Sequence, residues 1–197
     1  MKDMQTVFVK NLEIHQETFS NLTELTACVT DAASLMIEAL RHGGRLFFCG
    51  NGGSAADAQH LAAEFTGRFK FDRKPLDAHA LHVNTSSLTA VGNDYGFEQV
   101  FARGIRAHGR AGDVLISIST SGRSHNIVLA MEAARELGIK NIALTGAEGR
   151  AMGELADVLL NAPSVETPRI QEIHIFLGHT LCEIVESALC SPTCGYN

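Results

Sequence analysis

The chain has no tryptophan, only two tyrosines and four prolines, and no apolar run close to the ~20 residues that a membrane span requires. The missing long run excludes a membrane-spanning helix as an organising element. The N-terminal MKDMQTVFVKNLEIHQ has neither an uninterrupted apolar core nor a small-residue cleavage site, so the sequence predicts no signal peptide and a cytoplasmic location. Basic residues are also scarce: 16 Lys and Arg against 22 Asp and Glu give a net charge of −6, the opposite of a broad nucleic-acid surface. Direct nucleic-acid binding is therefore not expected. An anionic small molecule remains open, because helix N-termini supply local positive potential.

The cysteines number five, at 28, 49, 182, 190 and 194. An odd, scattered set does not describe a disulfide framework. Cys190 and Cys194 lie in a terminal SPTCGYN context, which reads either as a redox or metal pair or as a frayed tail. What the chain does have is an ordinary globular composition over 197 residues, enough for one domain with a real core. No linker, repeat or low-complexity segment divides it, so residues 1–197 are expected to form a single domain.

Residues 3–42 carry apolar side chains at helical spacing (Leu25, Val29, Ala32, Leu35, Met36, Leu40) and end at Gly43-Gly44. They predict a helical N-terminal extension in two pieces. Beyond it, strand-like and helix-like segments alternate. Strands are expected at 45–49, 78–83, 113–119, 141–146 and 157–162. Helices are expected at 54–66, 86–91, 97–107, 126–138, near 148–154 and over 169–189, with a loop at Asn93-Asp94-Gly96. This alternation predicts an α/β fold, a parallel sheet flanked by helices on both faces in a three-layer, flavodoxin-like sandwich. The last helix is apolar on more than one side, which suits burial among helices, including those of another copy.

Two small-residue turns each follow a strand and precede a helix. These are Gly50-Asn51-Gly52-Gly53-Ser54 and Ser119-Thr120-Ser121-Gly122-Arg123-Ser124. In open parallel sheets ligands sit at such strand ends. The second is the better phosphate site, with four hydroxyls at a helix N-terminus whose free N–H groups and dipole favour an anion. It reads equally as a helix cap with spare serines, and the first equally as a tight turn. Neither has the P-loop or the G-x-G-x-x-G pattern, so a nucleotide is not the natural ligand.

CGNGGSAADAQH followed by DVLISISTSGRS resembles a sugar isomerase (SIS) domain. AAEFTGR, VGNDYGFEQVF and RIQEIHIFLGH narrow the resemblance to the phosphoheptose isomerases, over about residues 20 to 190. The resemblance implies a homotetramer with active sites between subunits. It implies conversion of sedoheptulose 7-phosphate to D-glycero-D-manno-heptose 7-phosphate, the entry to lipopolysaccharide heptose synthesis, and zinc in several members. Carried over by residue, Asn51, Gly52, Gly53, Asn93 and Asp94 line the sugar. Ser119, Thr120, Ser121 and Ser124 hold the phosphate. Glu64 and His179 form the acid–base pair, and His60, Glu64, Gln171 and His179 bind the metal. The AADAQH form is closer to a non-catalytic SIS protein that associates with the bacterial replication initiator. That relative lacks the carboxylate and histidine matching Glu64 and His179, and both are present here. An isomerase of a related phosphosugar is the third reading.

The chemistry fits these residue types. Aldose–ketose isomerisation through an enediol needs a base near C1 and C2, an acid for the oxygens and stabilisation of the developing oxyanion. His60 and Glu64 are i and i+4, with Cβ atoms ~5–6 Å apart, which suits either two ligands of one ion or a self-satisfied polar pair. Gln171 and His179 are eight residues apart on one helix, ~12 Å along its axis, whereas metal bonds are only ~2.0–2.2 Å long. If all four residues hold one ion, Gln171 and His179 come from different chains. His174 competes with His179 as a partner of Gln171, or is simply a hydrogen-bonded histidine in a helical interface. Arg123 either reaches the phosphate or points to solvent.

Overall fold

The computed structural model describes residues 3–190. Helix α1 (Met4–Ser20) starts at Asp3, whose carboxylate accepts from Gln5 N, and a short 3₁₀ segment (Asn21–Leu25) leads into α2 (Thr26–Arg41). The α/β portion follows: β1 (Leu46–Gly50), α3 (Gly53–Thr66), β2 (Ala78–Ala80), α4 (Thr85–Tyr95), α5 (Val100–His108), β3 (Val114–Ser119), α6 (His125–Glu136), β4 (Lys140–Thr145), α7 (Arg150–Leu155), β5 (Val158–Asn161) and α8 (Thr167–Leu189).

All neighbouring strands pair in parallel, in the order β2-β1-β3-β4-β5. That order is flavodoxin-like, with its switch point between β1 and β3. Alternation along each strand sorts the core into two layers. Leu46, Phe48, Val114, Ile116, Ile118, Ile142 and Leu144 face α2, α3 and α8. Phe47, Cys49, Leu115 and Ala143 face α5, α6 and α7. Strands covered on both faces are buried throughout, which is why β1 and β3 read as continuous apolar runs.

Expected boundaries move by up to four residues, and two of the larger shifts are at β2 and α4. The strand at 78–83 stops at Ala80, because β2 is an edge strand that pairs only with β1. The loop expected at Asn93-Asp94 is helix: Asn84 caps α4 by accepting from Ser87 N, and nothing breaks the helix before Gly96, at φ +90°. Asn93 and Asp94 therefore form its last turn. Cys194 lies outside the described residues. The four described cysteines are free thiols, and burial pushes those of Cys49 and Cys182 up to about 12, so neither offers a thiolate at neutral pH. No helix among the described residues is long and apolar enough to cross a membrane.

Candidate active site

The two turns lie side by side because β1 and β3 are neighbours in register, Gly50 opposite Ile118. In the first, Gly52 has φ +55°, a conformation an L side chain rarely adopts, and it lets the chain reverse directly into α3. Asn51 turns inward and exchanges two 2.9 Å hydrogen bonds with Asn126, in the first turn of α6. This pair ties one turn to the other. Asn126 was not singled out in the sequence, and only the strand order makes it a partner of Asn51.

In the second turn the serines bond to each other. Ser119 Oγ lies 3.0 Å from Ser124 Oγ and 3.4 Å from Ser121 Oγ. Ser124 is the N-cap of α6, yet its hydroxyl caps no backbone N–H. The helix start is left open to an anion, as a phosphate cradle requires. Thr120, Ser121 and Arg123 line a cleft of about 210 Å³ together with Gly146–Arg150 and Ser164. Arg123 thus borders the cleft beside the turn.

Helix α3 then presents His60 and Glu64, with His60 Nε2 3.0 Å from Glu64 Oε1. Helix α8 of the same chain brings His179 against them, its ring 5.0 Å from that of His60. One ligand-capable atom from each of the three lies within 4.8 Å of the others. Two imidazoles and a carboxylate at this spacing suit a borderline cation such as zinc. Both helices run in the same direction, and they approach closely at Gly178, where a Cβ would come within 2.5 Å of Leu61.

Gln171 stands at the other end of the contact. Its Nε2 would be 2.3 Å from a Cβ on Gly53, which places it beside the glycine turn, more than one helical turn from His60. Within one chain the structure joins His60, Glu64 and His179, and separates Gln171 from them along α8. Asn93 and Asp94 close α4. Among the described residues, Asn93 Nδ2 donates to Asp94 Oδ1 at 2.7 Å, both are exposed, and α4 packs on α5 rather than on α3 or α8. His174 is not part of the cluster. It is fully buried, and its Nε2 donates to the carbonyl of Thr145 at 3.0 Å.

Asp57, one turn before His60, is a further feature the sequence reading passed over. Its Oδ2 is shielded from solvent with no hydrogen-bond partner, and burial raises its carboxyl above the usual range against the pull of His60 and His179. Its three-residue spacing from His60 was the available signal.

A family profile described as the SIS domain matches residues 12–146. The chain is 54% identical to the phosphoheptose isomerase of Rhodospirillum rubrum, over 89% of this chain and 93% of that one. It is 48% identical to that of Aliarcobacter butzleri, over 94% and 99%. Among solved structures it superposes on phosphoheptose isomerase GmhA from Neisseria gonorrhoeae with a TM-score of 0.89 at 45% identity, covering 94% of this chain and all of that one. With the doubly covered parallel sheet, the paired turns and the His60–Glu64–His179 cluster in place, the chain belongs to the phosphoheptose isomerase family of SIS-domain proteins.

Proposed function

We propose that this chain converts sedoheptulose 7-phosphate to D-glycero-D-manno-heptose 7-phosphate, the first step toward the heptose of lipopolysaccharide cores. The observation that carries the reading is the meeting of Glu64 and His179, from different helices, in one cluster with His60, on the helix that the first strand-end turn opens. Ser119, Thr120, Ser121 and Ser124 take the phosphate, with the uncapped start of α6 behind them. Asn51, Gly52 and Gly53 bring backbone and amide groups to the sugar hydroxyls. Glu64 takes the proton from C1 of the ketose while His179 gives one to the C2 oxygen, which forms the enediol. Return of a proton to C2, with loss of the O1 proton, leaves the aldehyde at C1. His60, Glu64 and His179 are the residues that would hold zinc, one ion per site, and the ion would polarise the sugar oxygens as a Lewis acid.

Gln171 is assigned as the fourth ligand from a second copy of the chain, since its own α8 carries it away from His60. Asn93 and Asp94, exposed in the last turn of α4, are assigned to the sugar, in a site completed by a second copy. The assembly is a homotetramer with sites completed between subunits, in the cytoplasm. Each chain is one SIS domain with an N-terminal helical extension. Exposed apolar residues along α1 support this: Met4 is 87% exposed, Phe8 69% and Leu12 45%, on one face at four-residue spacing.

The test is the isomerase assay on wild type and Glu64→Gln, each with and without a chelator. Loss of a positioned acid–base group costs ~10²–10⁴-fold, and the variant should fall by that much while keeping its fold and assembly. Chelator should silence the wild type, and zinc should restore it. Full activity in Glu64→Gln would sink the acid–base assignment, and indifference to chelator would discard the metal.

A further inference from the structure

Just beyond the site, α3 ends in a segment held by one buried ion pair. Arg73 Nε donates to Glu186 Oε1 at 2.9 Å, and the two side chains are 3% and 1% exposed. The remaining guanidinium nitrogens go to backbone. Nη2 donates to the carbonyl of Glu64 at 2.8 Å, and Nη1 to those of Phe65 at 2.8 Å and Gly67 at 3.1 Å. The last carbonyls of a helix have no partner within it, and a cation there also complements the helix dipole. Arg73 is therefore the cap of α3, and one of the carbonyls it holds belongs to Glu64.

Glu186 lies on α8 two turns beyond His179, on the same face. Its Oε1 also accepts from Phe69 N at 2.9 Å, and its Oε2 from Lys70 N at 2.6 Å and Phe71 N at 3.3 Å. These bonds fix Phe69 so that its ring lies 5.6 Å from the ring of His179. One buried pair thus touches both halves of the chemistry: the backbone of Glu64 through Arg73, and the ring of His179 through Phe69.

We propose that Arg73 and Glu186 are positioning residues for the isomerisation, a clamp that sets Glu64 and His179 at their working separation. The proposal rests on the assignment of those two as the acid–base pair. A buried ion pair contributes little net stability compared with an apolar replacement, so stability alone gives little reason for one here. Geometry gives a better one, because a displacement of about 1 Å at reacting groups can cost ~10²-fold in rate.

Glu186→Gln and Arg73→Lys are compared with Asp113→Asn. Asp113, wholly buried, pairs with the half-buried Arg45 at 3.1 Å, at the opposite end of β3. Melting temperatures grade the structural damage in all three. The clamp variants should lose about 10- to 100-fold in kcat, with KM changed about twofold or less. Arg73→Met should lose more than Arg73→Lys, which keeps the charge. Asp113→Asn should keep kcat within about twofold at a comparable fall in melting temperature. Wild-type kcat in folded Glu186→Gln and Arg73→Lys overturns the proposal, as does an equal kcat loss in Asp113→Asn. Failure of both clamp variants to fold at the assay temperature also overturns it, by making the pair a folding element only. Glu64→Gln is assayed beside them: if it is active, the acid–base assignment fails; if it is dead and the clamp variants are fully active, only the clamp fails.

Discussion

His174 shows how one residue type takes different work in one helix. Five residues before His179, it lies wholly inside the protein, bonded through Nε2 to Thr145, with its Nδ1 unpartnered. Burial outweighs that hydrogen bond and lowers its pKa from the ordinary 6.5 to about 4. The unfolded chain then binds a proton near pH 6.5 that the folded chain refuses until about pH 4. The stability tied to a neutral His174 is fully present above pH 6.5 and is lost as the pH falls to 4, a change of about 3 kcal/mol from that shift. Urea unfolding of wild type and His174→Gln at pH 7 and pH 4 should show the wild type losing about that much more stability than the variant. Equal losses would mean that the imidazole is not held neutral. In the sequence His174 competed with His179 for the metal. Spacing alone could not separate them, because which side of α8 faces β4 and which faces α3 is a matter of packing.

At the scale of elements, α3 and α8 bring His60, Glu64 and His179 together by lying close. Gly178 permits this, with no side chain between its backbone and Leu61. Overpacking a core contact of this kind costs ~1–3 kcal/mol, so Gly178→Ala should lower the melting temperature. It should also depress kcat, because the added methyl pushes apart the helices that carry His60 and His179. A thermal scan beside the isomerase assay checks both, and a stable variant of full activity would contradict the close-contact account. Helices and strands were mostly legible as period and punctuation. The apolar runs of β1 and β3, the Gly43-Gly44 stop and the long α8 stand where the pattern puts them. Two of the larger shifts fell at β2, an edge strand, and at α4 directly after it, where fewer contacts are available to enforce a pattern.

The whole molecule poses the question of assembly. Met4, Phe8 and Leu12 face solvent along α1, which touches its own chain chiefly through His15 on Glu172, Phe19 on Phe176 and Arg169 on the carbonyl of Asn11. Replacing Phe8 and Leu12 together with Asp should dissociate the homotetramer proposed above without loss of helix content, and activity should fall with it if Gln171 and the α4 residues serve a neighbouring site. Sedimentation, circular dichroism and the isomerase assay on this variant decide the point. Fully active monomers would place the entire site in one chain.

The sequence by itself determined the alternating α/β order, the two strand-end turns and the residue types of an enediol isomerase, because each is written in local periodicity, small-residue spacing or a short motif. Tertiary structure decided which distant residues meet. It put His179 with His60 and Glu64 and left Gln171 beside Gly53, paired Asn51 with Asn126, removed His174 to the core, and joined Arg73 to Glu186 across 113 positions. The physical reason is that strand order and the parallel docking of α3 on α8 come from burying two faces of one sheet at once. No single segment of the chain carries that information.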